Sequence, residues 1–125
     1  MNCNTNCSCN ADNNVIQFIK GTTVNLSFDF DEDISTYSNA LFVIRKNYDA
    51  NPVINKTITI TEANTLTIEL SKTETDNFDD FENGKTSSTY IWGLDLVDNN
   101  TGEQINVFPQ VGEPAPLCIV YKHVV

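Results

Sequence analysis

From Ser88 to Val97 every second residue is large and apolar: Tyr90, Trp92, Leu94 and Leu96 share one register, while Thr89, Gly93 and Asp95 fall in the other. Successive side chains of an extended chain point to opposite faces, so period two over such a run describes a strand with one buried face. Trp92, the only tryptophan, lies mid-run and is the expected centre of the core. The same alternation recurs in Thr22 to Phe30, with Val24, Leu26, Phe28 and Phe30 on one side, and in Thr65 to Leu70, with Leu66, Ile68 and Leu70. Three such runs constrain the chain to a fold of half-buried strands.

The remaining segments fill in around them. Val15 to Lys20 reads as a short strand stopped by Gly21, and Ala40 to Lys46 as a denser apolar strand suited to the middle of a sheet. Asn47 to Pro52 has turn chemistry, and Val53 to Ile60 resumes a β-branched pattern. Ser71 followed at Glu74 by a carboxylate is a capping-box signature, so one or two helical turns are expected before Phe78 and Phe81, crossing between sheets and dropping an aromatic ring into the end of the sandwich. Asp98 to Gly102 has hairpin composition; Gln104 to Phe108 and Leu117 to Val124 are strand material, separated by the Pro109 to Pro116 loop. Short strands with turn signals between them and almost no helix describe an all-β sandwich.

A chain of 125 residues has room for one core. The expected organisation is an Asn- and Cys-rich N-terminal arm over residues 1–14 and a single sandwich domain over residues 15–125. A formal net charge of −10 opposes the basic surface that neutralises phosphates, so nucleic acid is not expected as a partner. No apolar run is long enough to span a bilayer, and the polar opening segment lacks the apolar middle of a signal peptide, so no membrane is expected and a cytoplasmic origin is.

Residues suited to chemistry are few. The one histidine, His123, lies near the C-terminus, poor ground for a catalytic triad, and phosphate-binding glycine loops and the HExxH pattern are absent; no catalytic residue and no cofactor are expected. Cys3, Cys7 and Cys9 crowd the start, with Cys118 far away, a spacing that lacks the second close pair of a zinc site. Asp29, Asp31 and Asp33 resemble the opening of a calcium loop without its glycine turn and distal glutamate. These two groups are weak metal candidates, set against solubilising charge and reduced thiols. A second acidic group, Asp76, Asp79, Asp80 and Glu82, surrounds the crossover turn, and the Asn-x-Ser/Thr triplets at Asn25 and Asn55 are read as unused.

Gly21-Thr22-Thr23-Val24-Asn25-Leu26, Phe42-Val43-Ile44-Arg45, the Leu70 to Thr75 crossover, Tyr90 to Val97 and the Asp98 to Gly102 turn together resemble the small immunoglobulin-like domain that opens bacteriophage baseplate upper proteins and occurs in related tail, neck and head-fibre proteins. The resemblance runs from Val15 to Val120, although the Pro109 to Pro116 loop interrupts the final strand and the chain stops at Val125 without the fibrous or helical tail usual in that family. It implies an immunoglobulin-like β-sandwich of about seven strands with one short helical crossover. It also implies a non-enzymatic virion structural protein, decorating the capsid, anchoring a head fibre or sitting in the tail or baseplate, in contact with other virion proteins in many copies. On this reading Phe28, Leu41, Trp92 and Leu94 hold the core. The arm, through Asn4, Asn6, Ser8 and Asn10, and an edge strand make the partner contacts, a partner ordering the otherwise loose arm. The competing class is a glycan-binding adhesion module on a phage or bacterial surface, with Tyr37, Tyr48 and Phe108 as candidate exposed aromatics.

Overall fold

The computed structural model describes residues 14–125 together with the strand pairing of residues 9 and 10. Nine strands and one helical turn follow in the order β1 (Cys9–Asn10), β2 (Val15–Ile19), β3 (Val24–Asp29), β4 (Asn39–Arg45), β5 (Pro52–Thr59), β6 (Thr65–Leu70), α1 (Lys72–Thr75), β7 (Ser87–Val97), β8 (Gln104–Phe108) and β9 (Leu117–Tyr121). They form an all-β sandwich. A large sheet runs β1-β2-β9-β7-β4-β5 with β8 also on β7, and a two-stranded sheet pairs β3 with β6. All pairings are antiparallel except β2 with β9, where Ile16 to Ile19 run parallel to Cys118 to Tyr121. The first long strand thus joins the sheet that carries the last, while the second and fifth strands of the domain make the opposite layer, an immunoglobulin-like arrangement.

β7 organises the large sheet. One edge pairs with β4 from Ile91 to Val97. The other pairs with β9 over Ser87 to Ile91 and with β8 over Leu94 to Val97. β8 and β9 therefore act as one last strand broken by the 109–116 loop, as the prolines between them dictate. At the break, the Trp92 backbone N–H donates to the Pro116 carbonyl at 3.1 Å, so the backbone stays satisfied.

The alternating runs place their apolar registers as period two requires: Val24, Leu26 and Phe28 from β3, Leu66, Ile68 and Leu70 from β6, and Tyr90, Trp92, Leu94 and Leu96 from β7 are all buried. Trp92 lies at the centre, its ring centroid 5.6 Å from Phe28 across the sheets, 5.9 Å from Phe42 and 5.0 Å from Phe108. Its indole N–H donates to the Asn14 carbonyl at 3.1 Å. Asn14 itself has φ of 57°, a conformation that Asn tolerates better than most residues. The core thus also fixes the entry into β2.

Leu41 does not belong to this core. Along β4 the buried positions are Ala40, Phe42 and Ile44, and Leu41 is half-buried on the opposite face with Val43. A continuous apolar run has no period to say which register faces inward, and here both faces of the strand are partly covered.

After β6 the chain leaves its sheet through α1. Ser71 and Glu74 close the capping box: the Glu74 N–H donates to Ser71 Oγ at 3.1 Å, and the Ser71 N–H donates to Glu74 Oε1 at 2.9 Å. Lys56 on β5 donates to the same carboxylate at 3.0 Å and to the Glu69 carbonyl at 2.6 Å, tying the two sheets together at this end. The turn delivers Phe78 into the core, edge-on to Phe18 at 5.3 Å and to Tyr90 at 4.9 Å, while Phe81 packs partly buried at its margin. Thr75 is fully buried because its hydroxyl donates to the Thr22 carbonyl at 2.6 Å. Gly21, just before that contact, has φ of +77°, a conformation that suits glycine in the turn after β2.

Two outcomes are expected. Trp92→Ala removes the ring that three others contact and should cost about 3–5 kcal/mol, a large share of the stability of a domain this size; the midpoint of urea unfolding measures it. Partial burial pushes the Glu74 carboxyl up, but the Ser71 backbone bond and the Lys56 ammonium outweigh it and the net shift is downward. A carboxyl whose folded pKa lies below its unfolded value stabilises the fold above the unfolded value of about 4.3 and loses that contribution as pH falls through the folded one. Glu74→Gln should therefore be less stable than wild type at pH 7 by about 1 kcal/mol or less, with the gap narrowing as pH falls below about 4.3 in urea titrations.

Candidate functional site

The outward faces of β4, β7 and β8 and the loops beside them form a groove of ≈ 330 Å³. Its floor is set by Gly93 on β7, flanked across the β4 pairing by Val43. With no side chain at this position the sheet surface dips, and a Cβ there would approach the Phe108 carbonyl oxygen to 3.2 Å. Leu41, Val43 and Ile91 supply apolar surface to it.

Polar groups gather along one wall. Asp95, two positions beyond Gly93 on the same face, accepts from Gln104 Nε2 at 2.7 Å and from Asn106 Nδ2 at 2.9 Å. Asn106 Nδ2 also donates to the Phe108 carbonyl at 3.1 Å. A carboxylate only accepts, so it sets the orientation of both amides and leaves their carbonyl oxygens as acceptors. Arg45, also in the lining, donates from Nη1 to the Ala50 carbonyl at 3.1 Å, and the guanidinium keeps further donors. Tyr48 is 67% exposed, yet its hydroxyl accepts from the Ala115 N–H at 3.1 Å, so the ring is held in place while its surface stays open.

The three aromatics expected on loops separate. Tyr48 lines this groove. Phe108 is buried against Trp92 and presents no ring to solvent, because it ends β8 in register with inward-facing Leu94. Tyr37 is partly buried elsewhere, its hydroxyl donating to Glu103 Oε1 at 3.5 Å; burial first, then the Glu103 charge, pushes that phenol up. Asp95, Gln104 and Asn106 were not singled out by their sequence context. Gly93 within an alternating strand was the signal available, since glycine there marks a place where a backbone or ligand approaches closely.

The acidic series does not converge. Asp29 accepts from Thr65 Oγ1 at 3.3 Å across the β3–β6 pair, and Asp33 Oδ1 accepts from the Ser35 N–H at 2.8 Å; the Ser35 side chain first, and this backbone bond second, hold the Asp33 carboxyl below its ordinary value. Among the described residues no group of three or more His, Cys, Asp or Glu side chains is placed to hold a metal ion. Asp76 and Asp79 serve Lys20, which forms an ion pair with Asp79 and a longer one with Asp76 at 3.7 Å. Asp80 offers its carbonyl to the Ser88 hydroxyl, which in turn accepts from Lys46 Nζ at 2.8 Å. His123 is exposed beyond β9.

Cys118 is in the core, facing inward on β9, and burial pushes its thiol well above the ordinary range. Cys3 and Cys7, and the partner-contact residues Asn4, Asn6 and Ser8, lie outside the described residues; of Cys9 and Asn10 the backbone pairs with Ile16 and Val15. No helix among the described residues is long and apolar enough to cross a membrane. No protein-family model and no curated protein matches the chain.

Thiol labelling followed by peptide mapping checks the placement of Cys118: its peptide should stay unmodified by iodoacetamide under native conditions and become labelled in urea. Native labelling at the rate of a free thiol would contradict it.

Proposed function

We propose that the chain is a non-enzymatic bacteriophage virion structural protein, a capsid-decorating, head-fibre or tail and baseplate component that works through contacts with other virion proteins in a multi-copy assembly. The virion is its location, reached by assembly in the cytoplasm of the bacterial host. The observation that carries this reading is an apolar strip on the outer face of the large sheet. Ile19 on β2 and Tyr121 on β9 are register partners, 45% and 39% exposed, and Leu117, 41% exposed, lies along the same face of β9 with half-buried Ile119 between. Isolated exposed apolar residues are ordinary, but neighbours on adjacent strands make a patch whose burial against a partner is favourable.

The open edges of the sandwich support the same reading. β5 ends the large sheet, and β3 and β6 each have one edge without a strand partner among the described residues. Such edges offer backbone groups for strand addition, and Pro52 and Lys56 on β5 are the residue types that keep an edge from pairing indiscriminately. The resemblance from Val15 to Val120 supplies the virion context; the patch and the edges supply the means of contact.

Expression of a tagged chain during phage infection tests it. Wild type should copurify with particles and be quantifiable in them by mass spectrometry, and the double variant Ile19→Ser, Tyr121→Ser should be incorporated at least about tenfold less, the loss of about 1.4 kcal/mol of contact energy. Wild type found only in the soluble fraction, or a folded double variant incorporated equally, would contradict the proposal.

A further inference from the structure

We propose that the groove between β4, β7 and β8 is a saccharide-binding site, which holds a neutral pyranoside by its apolar face against Tyr48 and by its hydroxyls on the Asp95, Gln104 and Asn106 cluster. The groove borders the apolar strip of β2 and β9, its Ile91 being the register partner of Leu117, but it takes a different ligand from the assembly contacts.

The argument begins with size and shape. A concave site of ≈ 330 Å³ falls at the lower end of the range used for small ligands, roughly 300–1,000 Å³. Gly93 makes the depression, and it is held in the β4 ladder opposite Val43, with the Phe108 carbonyl close on its other side, so that part of the floor is shaped before any ligand arrives. Binding to a preformed site avoids the cost of ordering loops.

Chemistry narrows the class. Sugar hydroxyls both donate and accept, and they are matched by planar side chains in fixed orientations. Here the Asp95 carboxylate holds two amides at 2.7 and 2.9 Å, so acceptor oxygens are presented on a strand-borne frame. Arg45 also lines the groove, with donors not spent on Ala50. One carboxylate and one guanidinium leave the groove without a dominant charge, which disfavours strongly anionic or cationic ligands and suits a neutral polar one. The C–H face of a pyranose is apolar, and an aromatic ring is its natural platform. Tyr48 offers such a ring, two-thirds exposed but anchored through its hydroxyl to the backbone of Ala115. An exposed ring that is nonetheless immobilised loses little entropy on stacking. Leu41 and Val43 complete an amphipathic surface that presents apolar floor and polar wall together.

The test uses the full chain, ¹⁵N-labelled, titrated with chitotriose, cellotriose, maltotriose, galactotriose and a rhamnose trisaccharide to 20 mM each. At least one should shift the amide resonances of Gly93, Asp95, Gln104 and Asn106 together, leaving those of β3 and β6 unmoved. Tyr48→Ala and Asn106→Ala should each weaken that binding about tenfold or more, with melting temperatures showing that both variants fold. Absence of groove shifts with all five saccharides, or binding that survives undiminished in both folded variants, would overturn the proposal. So would groove shifts produced by an extended peptide and by none of the sugars.

Discussion

The contact between Trp92 and Phe28 joins the two layers, and most of the remaining structure depends on it. A two-stranded ribbon such as β3 with β6 is marginal in water by itself. It is held because Val24, Leu26, Phe28, Leu66, Ile68 and Leu70 all meet the large sheet, with the indole as the largest surface they meet. The same indole N–H fixes Asn14 and hence the start of β2, and the same strand, β7, carries hydrogen bonds along both edges. Core, sheet order and chain entry therefore share one residue.

Period two gives this arrangement its second use. Each inward residue of β7 has outward neighbours, so the strand that positions Trp92 and Leu94 in the core also positions Gly93 and Asp95 at the surface. β4 does the same with Phe42 inside and Leu41 and Val43 outside. A rigid, well-packed sheet is thereby a support on which a shallow site can hold its geometry without loops closing over it. The interrupted last strand adds to this: the loop between β8 and β9 carries Ala115 to the Tyr48 hydroxyl, walling a surface that an unbroken strand would leave flat.

Much of this was legible in the residues. The alternating registers of β3, β6 and β7 fixed their own inward faces, the Ser71 and Glu74 pair announced α1, and Pro109 to Pro116 announced the break in the last strand. Leu41 was misassigned because four consecutive apolar residues carry no phase, and phase is the only local record of which way a strand faces. Phe108 reads in sequence either as a packed residue or as an exposed aromatic, because its position next to a proline loop says nothing of Trp92, far away in sequence but 5.0 Å away in space. The groove was hidden for the same reason: Asp95 meets Gln104 and Asn106 only once the β7–β8 pair is formed, and Tyr48 joins them from a separate turn. Pairing across strands is a tertiary fact, and a single glycine was its only local trace.

Native-state amide hydrogen exchange tests the dependence of the small sheet on the large one most directly. If the ribbon of β3 and β6 persists only through its contact with the Trp92 cluster, its ladder amides should exchange with the same opening free energy as those of β7, both equal to global unfolding. Ribbon amides that exchange through a separate opening, at markedly lower free energy and with β7 still protected, would contradict the account.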